Sequence, residues 1–137
     1  MQKYSKLIIF TDGGSRNNPG PAGIGYVIKD DQGNNLEAKG EHIGEATNNV
    51  AEYSALIKAL HAAKKYDHES LECFLDSELV VKQITGEYRV KDENLKKLLN
   101  EVRELIFFKN VTFTHILRAK NKEADALYNK ALDEAGF

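Results

Sequence analysis

Four acidic residues stand where a carboxylate is costly unless something neutralises it: Asp12, Glu52, Asp76 and Asp125. Asp12 closes an apolar, β-forming run over residues 7–11, and Asp76 closes a second such run over residues 71–75. A carboxylate adjoining buried β-structure loses hydration, which penalises its charged form. Glu52 falls in the first turns of one helical stretch and Asp125 in the first turn or so of another, where the amide dipoles favour negative charge. If the four converge, repulsion raises their pKa values unless hard divalent cations such as Mg2+ neutralise the cluster through oxygen coordination. The set lacks histidine and cysteine, which argues against zinc. Taken singly, each residue has a plain competing role: Asp12 before two glycines begins a turn, Asp76 caps a helix, and Glu52 and Asp125 are solvated helix residues. Taken together with the residues that flank them, the four favour a metal site.

The elements that must position them follow from periodicity. Residues 7–11 read as a strand buried on both faces, followed by a turn-rich stretch from Asp12 to Gly23. A second strand is expected from about Ala22, a turn at residues 30–34, and a third, more exposed strand over residues 35–43. Thr47, Asn48 and Asn49 supply capping chemistry for a long helix reaching about Tyr66, with Val50, Ser54, Ile57 and Leu60 on its apolar face. Residues 71–75 form the next strand, residues 78–84 a short helix stopped by Gly86, and Leu95 to Ile106 keeps helical spacing. Val111, Phe113, His115 and Leu117 alternate as a strand, and a last helix runs from about Lys122 to Ala135. Three strands, a helix, a strand, two helices, a strand and a helix imply an α/β fold. Its mixed five-stranded sheet joins an antiparallel meander to parallel strands, with helices on both faces. Chemistry in such sheets collects at the carboxyl ends of neighbouring strands.

The 137 residues suit one domain spanning 1–137, and 42% hydrophobic with 29% charged residues is the composition of a water-soluble globular protein. No apolar run approaches the ~18 residues of a membrane span. The polar residues 1–6 lead straight into a strand without a leader-like core, so the expectation is a cytoplasmic protein with no membrane partner. Cys73, the only cysteine, lies in an apolar run and reads as a small core residue. The net charge of -2 does not advertise a polyanionic ligand, so a nucleic-acid role must rest on local geometry.

Four motifs, in order, resemble those of the type 1 ribonucleases H. They are Thr11-Asp12-Gly13-Gly14-Ser15-Arg16-Asn17-Asn18-Pro19-Gly20, Thr47-Asn48-Asn49-Val50-Ala51-Glu52-Tyr53, Leu75-Asp76-Ser77, and Arg118-Ala119-Lys120-Asn121-Lys122-Glu123-Ala124-Asp125. The resemblance runs from about Leu7 to Leu132 and is greatest to the compact archaeal and Bacillus-like branch of the family. It implies a ribonuclease H-like fold and an endonuclease that hydrolyses the RNA strand of RNA/DNA hybrids by a two-metal mechanism, leaving 5'-phosphate and 3'-hydroxyl ends. Asp12, Glu52, Asp76 and Asp125 would be catalytic and would hold two Mg2+ ions, with Mn2+ as a substitute. Gly13, Gly14, Ser15, Asn18, Asn48 and Asn49 would meet the RNA strand, and Thr47 and Asn121 a phosphate of the DNA strand, with Arg118 at a further phosphate. Helix capping is the competing role for Thr47, Asn48, Asn49 and Asn121.

The chain departs from many members of that family in two places. The segment from Ala119 to Glu123 contains no histidine, and residues 83–94 pass directly to the next helix without a basic, tryptophan-bearing handle. A weaker grip on the hybrid follows, with Lys91, Lys96, Lys97 and Arg103 as partial replacements, and double-stranded RNA is an additional expected substrate. A monomer is expected. Two other classes compete. An actin-like or sugar-kinase ATPase needs two such domains around its nucleotide, and an idle hybrid-binding module typically lacks one or more of the acids, all of which are present here.

Overall fold

The apolar run near the start of the chain becomes the middle of a sheet. In the computed structural model, which describes residues 2–107 and 109–137, β1 (Lys3–Ser15) lies between β2 (Gly20–Asp30) and β4 (Asp67–Leu75). The first residue of the polar 1–6 segment lies outside the described residues. β3 (Asn35–Ala46) pairs antiparallel with β2, and β5 (Asn110–His115) pairs parallel with β4, giving the order β3-β2-β1-β4-β5. β1 meets β2 antiparallel and β4 parallel, so the mixed sheet expected from the order of elements is the one observed. Among the described residues the helices are α1 (Asn48–Ala63), α2 (Glu78–Ile84), α3 (Glu93–Ile106) and α4 (Lys122–Glu134), with a 3-10 turn at Arg118–Lys120 that the periodicity did not announce.

The glycines explain both where the sequence misled and how the layers are built. Asp12 does not end its strand. The parallel ladder with β4 stops at Thr11 opposite Leu75, but the antiparallel ladder continues through Asp12 opposite Gly25 to Ser15 opposite Ala22. The expected turn over residues 12–23 therefore shrinks to residues 16–19. Gly13, Gly14, Gly23 and Gly25 look like turn signals, yet here they are strand residues on which helices lie. A Cβ on Gly13 would come within 3.0 Å of the Glu52 nitrogen of α1, whereas one on Gly25 would come within 3.0 Å of Leu127 Cβ and the Tyr128 nitrogen of α4. Successive strand residues point to opposite faces. Accordingly α1 covers one face and α4 the other.

α1 is buried on more sides than an amphipathic reading allows. Ala51, Glu52, Tyr53, Ala55, Leu56, Ile57, Ala59, Leu60 and Ala63 are buried, while Val50 and Ser54, expected on the apolar face, are only half-buried. The helix lies between the sheet and α3, so a single stripe is the wrong template for it. α3 does carry one stripe, through Leu99 and Val102, and closes the core formed with Leu7, Ile9, Ile28, Tyr53, Leu56 and Leu75. Leu117 is 70% exposed and lies beyond β5, where it precedes the 3-10 turn. No helix among the described residues is long and apolar enough to cross a membrane.

Gly25→Ala should lower the unfolding free energy by roughly 1–3 kcal/mol, the usual cost of overpacking. The measurement is urea denaturation, read as a lower midpoint at unchanged slope. An unchanged midpoint would contradict the close approach of α4 to β2.

Candidate metal centre and its rim

Three chain segments far apart in sequence bring carboxylates together. Asp12 is the first β1 residue beyond the parallel ladder, and Asp76 immediately follows Leu75, the last residue of β4. The Leu75 carbonyl accepts from the Ile116 nitrogen at 2.8 Å, which holds the end of β4 against the chain leaving β5. Glu52 projects from the second turn of α1, whose start is fixed by the Thr47 hydroxyl accepting from the Val50 amide at 3.2 Å. One carboxylate oxygen from each of Asp12, Glu52 and Asp76 lies within 4.8 Å of the others. Asp125 stands outside that group, half-buried in the first turn of α4, but its charge is close enough to act on Asp12.

The electrostatics of this cluster are unfavourable in the metal-free protein. Asp12 is 4% exposed and Glu52 8%. Burial pushes the Asp12 carboxyl up to about 7, the charges of Asp76 and Asp125 push in the same direction, and hydrogen bonds from Glu52 and the Gly13 amide offset part of the rise. The Gly13 nitrogen donates to Asp12 Oδ1 at 2.9 Å. Glu52 is also raised well above the carboxylate range, by burial first and then by Asp12. One oxygen of Glu52 and one of Asp76 are buried without a partner. Orphaned carboxylate oxygens in a dry site are expensive. Three all-oxygen donors with unused lone pairs suit a hard divalent cation.

The rim is made of hydrogen-bond donors. The Ser15 nitrogen donates to Asn48 Oδ1 at 2.8 Å, and the Asn48 nitrogen donates to Asn18 Oδ1 at 2.9 Å. Both side-chain oxygens are thus tied to backbone, and the amide NH2 groups of Asn18 and Asn48, both exposed residues, are left for a ligand. Asn49 is half-buried in the first turn of α1, and Arg118 is exposed in the 3-10 turn. Beside them, a groove of about 540 Å3 is lined by Pro19, Thr47, Val50, Asn94 and Lys97. Gly13 and Gly14 lie within β1, flanked by α1 and α4 respectively.

Asn121 is placed differently from the expected phosphate contact. It is 1% exposed, its Nδ2 donates to the Thr11 carbonyl at 2.8 Å, and its Oδ1 is buried without a partner. Nor does its side chain cap α4. It anchors the start of α4 to β1 beside Asp12.

Three residues of the site escaped the sequence reading. Tyr128 follows Asp125 by three residues on α4, a spacing that puts both on one face and was available from helical periodicity. Arg16 leaves the rim for α4, with Nη1 2.8 Å from Asp133 Oδ1 and also donating to the Phe137 carbonyl oxygen. Its Nη2 donates to the carbonyl and side-chain oxygens of Asn129, each at 3.2 Å. Asn129 in turn donates to the Asp125 carbonyl at 3.0 Å. No local pattern announces a contact between residues more than a hundred positions apart.

The chain matches the family model described as reverse transcriptase-like over residues 10–131. It is 46% identical over 127 residues to the ribonuclease HI of Halobacterium salinarum, covering 92% of this chain but 64% of that protein. It spans only 36% of the length of mycobacterial relatives that are 42% identical to it. The ribonuclease H of Polynucleobacter asymbioticus is 32% identical, with 96% of this chain and 92% of that one aligned. Among solved structures, LC11-RNase H1, isolated from compost and crystallised with an RNA/DNA hybrid, superposes with a TM-score of 0.90 at 47% identity, covering 94% of this chain and 98% of that one. Its mixed sheet, its ordered motifs and these likenesses together make the chain a member of the type 1 ribonuclease H family.

Proposed function

We propose that the chain is an endonuclease that cleaves the RNA strand of RNA/DNA hybrids, leaving 5'-phosphate and 3'-hydroxyl ends. The observation that carries this reading is the group of Asp12, Glu52 and Asp76 oxygens within 4.8 Å, two of those residues having a buried, partnerless oxygen. Asp12, Glu52, Asp76 and Asp125 would hold two Mg2+ ions, with Mn2+ as a substitute, which when bound lower the pKa of attacking water and stabilise charge on the leaving oxygen.

The chain's own residues orient the substrate. The Asn18 and Asn48 amides donate to the RNA strand, and an amide opposite a 2'-hydroxyl is the chemistry that distinguishes RNA from DNA. Asn49, at the start of α1, adds a further amide. Gly13 and Gly14 let α1 and the Tyr128 ring close on β1 beside Asp12, so that the strand meets its nucleic acid with backbone rather than side chains. Ser15, whose nitrogen is held by Asn48, ties this stretch to α1. The Thr47 hydroxyl accepts from Val50 and keeps its own proton for a phosphate of the DNA strand, while Arg118 supplies a cation to another.

Cleavage of a labelled hybrid in Mg2+ tests the reading directly, run beside double-stranded RNA, single-stranded RNA and duplex DNA. Removing one group that stabilises transition-state charge typically costs at least about 100-fold in rate, so Asp76→Asn should fall by that much or more, and EDTA should abolish cutting. Equal cleavage in all three conditions would sink the metal-dependent mechanism. Cutting of double-stranded RNA at a lower rate is the expected side activity.

The pH dependence has a definite sign. Asp12 has a folded-state pKa above its unfolded one, so the stability linked to its proton is fully present below about 4 and is lost as pH rises through about 7, and Glu52 is shifted in the same direction. Metal-free protein should therefore melt lower at pH 8 than at pH 5.5, and Mg2+ should recover most of the difference. Asp12→Asn should raise the melting temperature in EDTA at pH 8 by about 4 °C, what ~1 kcal/mol is worth at this size, while eliminating cleavage. A lower melting temperature for that variant would refute the electrostatic account of the cluster.

A further inference from the structure

We propose that Tyr128 is a substrate-positioning residue whose hydroxyl donates a hydrogen bond to a phosphate oxygen of the nucleic-acid strand lying over Gly13 and Gly14. The inference rests on the nuclease reading and adds to it a contact that none of the four motifs contains.

Tyr128 stands one helical turn after Asp125 on α4, on the same face. Its ring occupies the space that a side chain at position 14 would take. A Cβ on Gly14 would lie 2.8 Å from the Tyr128 hydroxyl oxygen and 3.0 Å from two ring carbons. The phenol therefore sits against the strand that carries Asp12. Its electrostatic neighbours define the same location, since Asp12, Asp125 and Arg118 all act on it. A phenol carries its proton at neutral pH and is therefore able to donate.

The residue beside it on α4, Asn129, has its own partners. Asn129 is itself oriented by Arg16, which contacts both its carbonyl and its side-chain oxygen, and by the Asp125 carbonyl. Among the described residues no protein acceptor is found for the phenol proton. Tyr128 is half-buried, so part of it reaches the open side of the site.

The chemistry of a phenol suits this place. A lysine or arginine beside Asp12 and Asp125 would pair with them and compete with the cations they hold. A neutral hydroxyl can bind a phosphate oxygen without neutralising the carboxylates. It should contribute as an ordinary hydrogen bond does, a factor of about three to ten in affinity.

Tyr128→Phe removes the hydroxyl and keeps the ring over Gly14, whereas Tyr128→Ala removes both. Binding of a labelled hybrid is measured by fluorescence anisotropy in EDTA, where nothing is cut, and KM and kcat are measured separately in Mg2+. The expected result for Tyr128→Phe is a Kd and KM raised about three- to tenfold, with little change in kcat or melting temperature. The salt slope of binding should stay as in the unmodified protein, whereas Arg118→Ala should flatten it by about one unit, as loss of a cation–phosphate contact does. If Tyr128→Phe binds like the unmodified protein and only Tyr128→Ala weakens binding, the ring is packing alone and the proposal falls. If the unmodified protein cuts hybrids normally while Tyr128→Phe leaves Kd unchanged, the proposal falls and the nuclease reading stands. If the unmodified protein neither binds nor cuts a hybrid, both fall.

Discussion

Repulsion among carboxylates that have little access to water is the constraint around which this molecule is arranged. Asp12 and Glu52 are both less than a tenth exposed, and they share a space with Asp76 that leaves lone pairs unused. The folded chain tolerates this because the three side chains belong to elements fixed by other means. β1 is paired on both sides, β4 is held between β1 and β5, and α1 is capped by Thr47 and covered by α3. The hydrophobic core supplies the stability that the acidic cluster gives up, a familiar relation between an active centre and its scaffold. The cluster is thus already assembled for a divalent cation, whose binding would displace the protons that the carboxyls hold.

Close approach of helices to the sheet is what makes the cluster geometrically feasible. α1 lies against Gly13 on one face, which brings Glu52 to the level of Asp12. α4 lies against Gly14 and Gly25 on the other face, and Asn121 fastens its start to Thr11. Asp125 and Tyr128 are delivered to the rim by that second approach. These glycines set the depth at which both helices sit, so packing and site geometry are not separable at these positions. A substitution at Gly14 would disturb the Tyr128 ring before it touched any ligand.

Much of this was legible in the sequence, and the failures have physical causes. The bounds expected for α2 are those observed, with Gly86 marking its end, but the cap is Ser77 and not Asp76. The mixed sheet followed from the order of elements. Asp12 was misread as a strand end because glycine is a turn signal on statistical grounds, whereas Gly13, Gly14, Gly23 and Gly25 serve interlayer contact within strands. The apolar face of α1 was misassigned because a helix covered on two sides has no single stripe. Asn121 was assigned to a ligand from its motif, and only the three-dimensional placement reveals that its amide is committed to the Thr11 carbonyl. Arg16 lay inside the first motif, yet its partners are at Asn129 and beyond, out of reach of any local pattern.

The distribution of charge around the site resolves the apparent conflict between an acidic chain and a polyanionic partner. With a net charge of -2, the protein has no general field to attract nucleic acid. Beside Arg118 and Lys97 the rim offers neutral donors: the side-chain amides of Asn18 and Asn48 and the Thr47 hydroxyl. Arg16, the basic residue of the first motif, is consumed by Asp133 and Asn129 and contributes order rather than charge. Neutral donors are less sensitive to salt than ion pairs, and they report geometry more than charge. On the proposed reading, recognition by such a rim would depend on a strand presenting oxygens at the right spacing, and cations held by the carboxylates would supply the positive charge at the reacting phosphate.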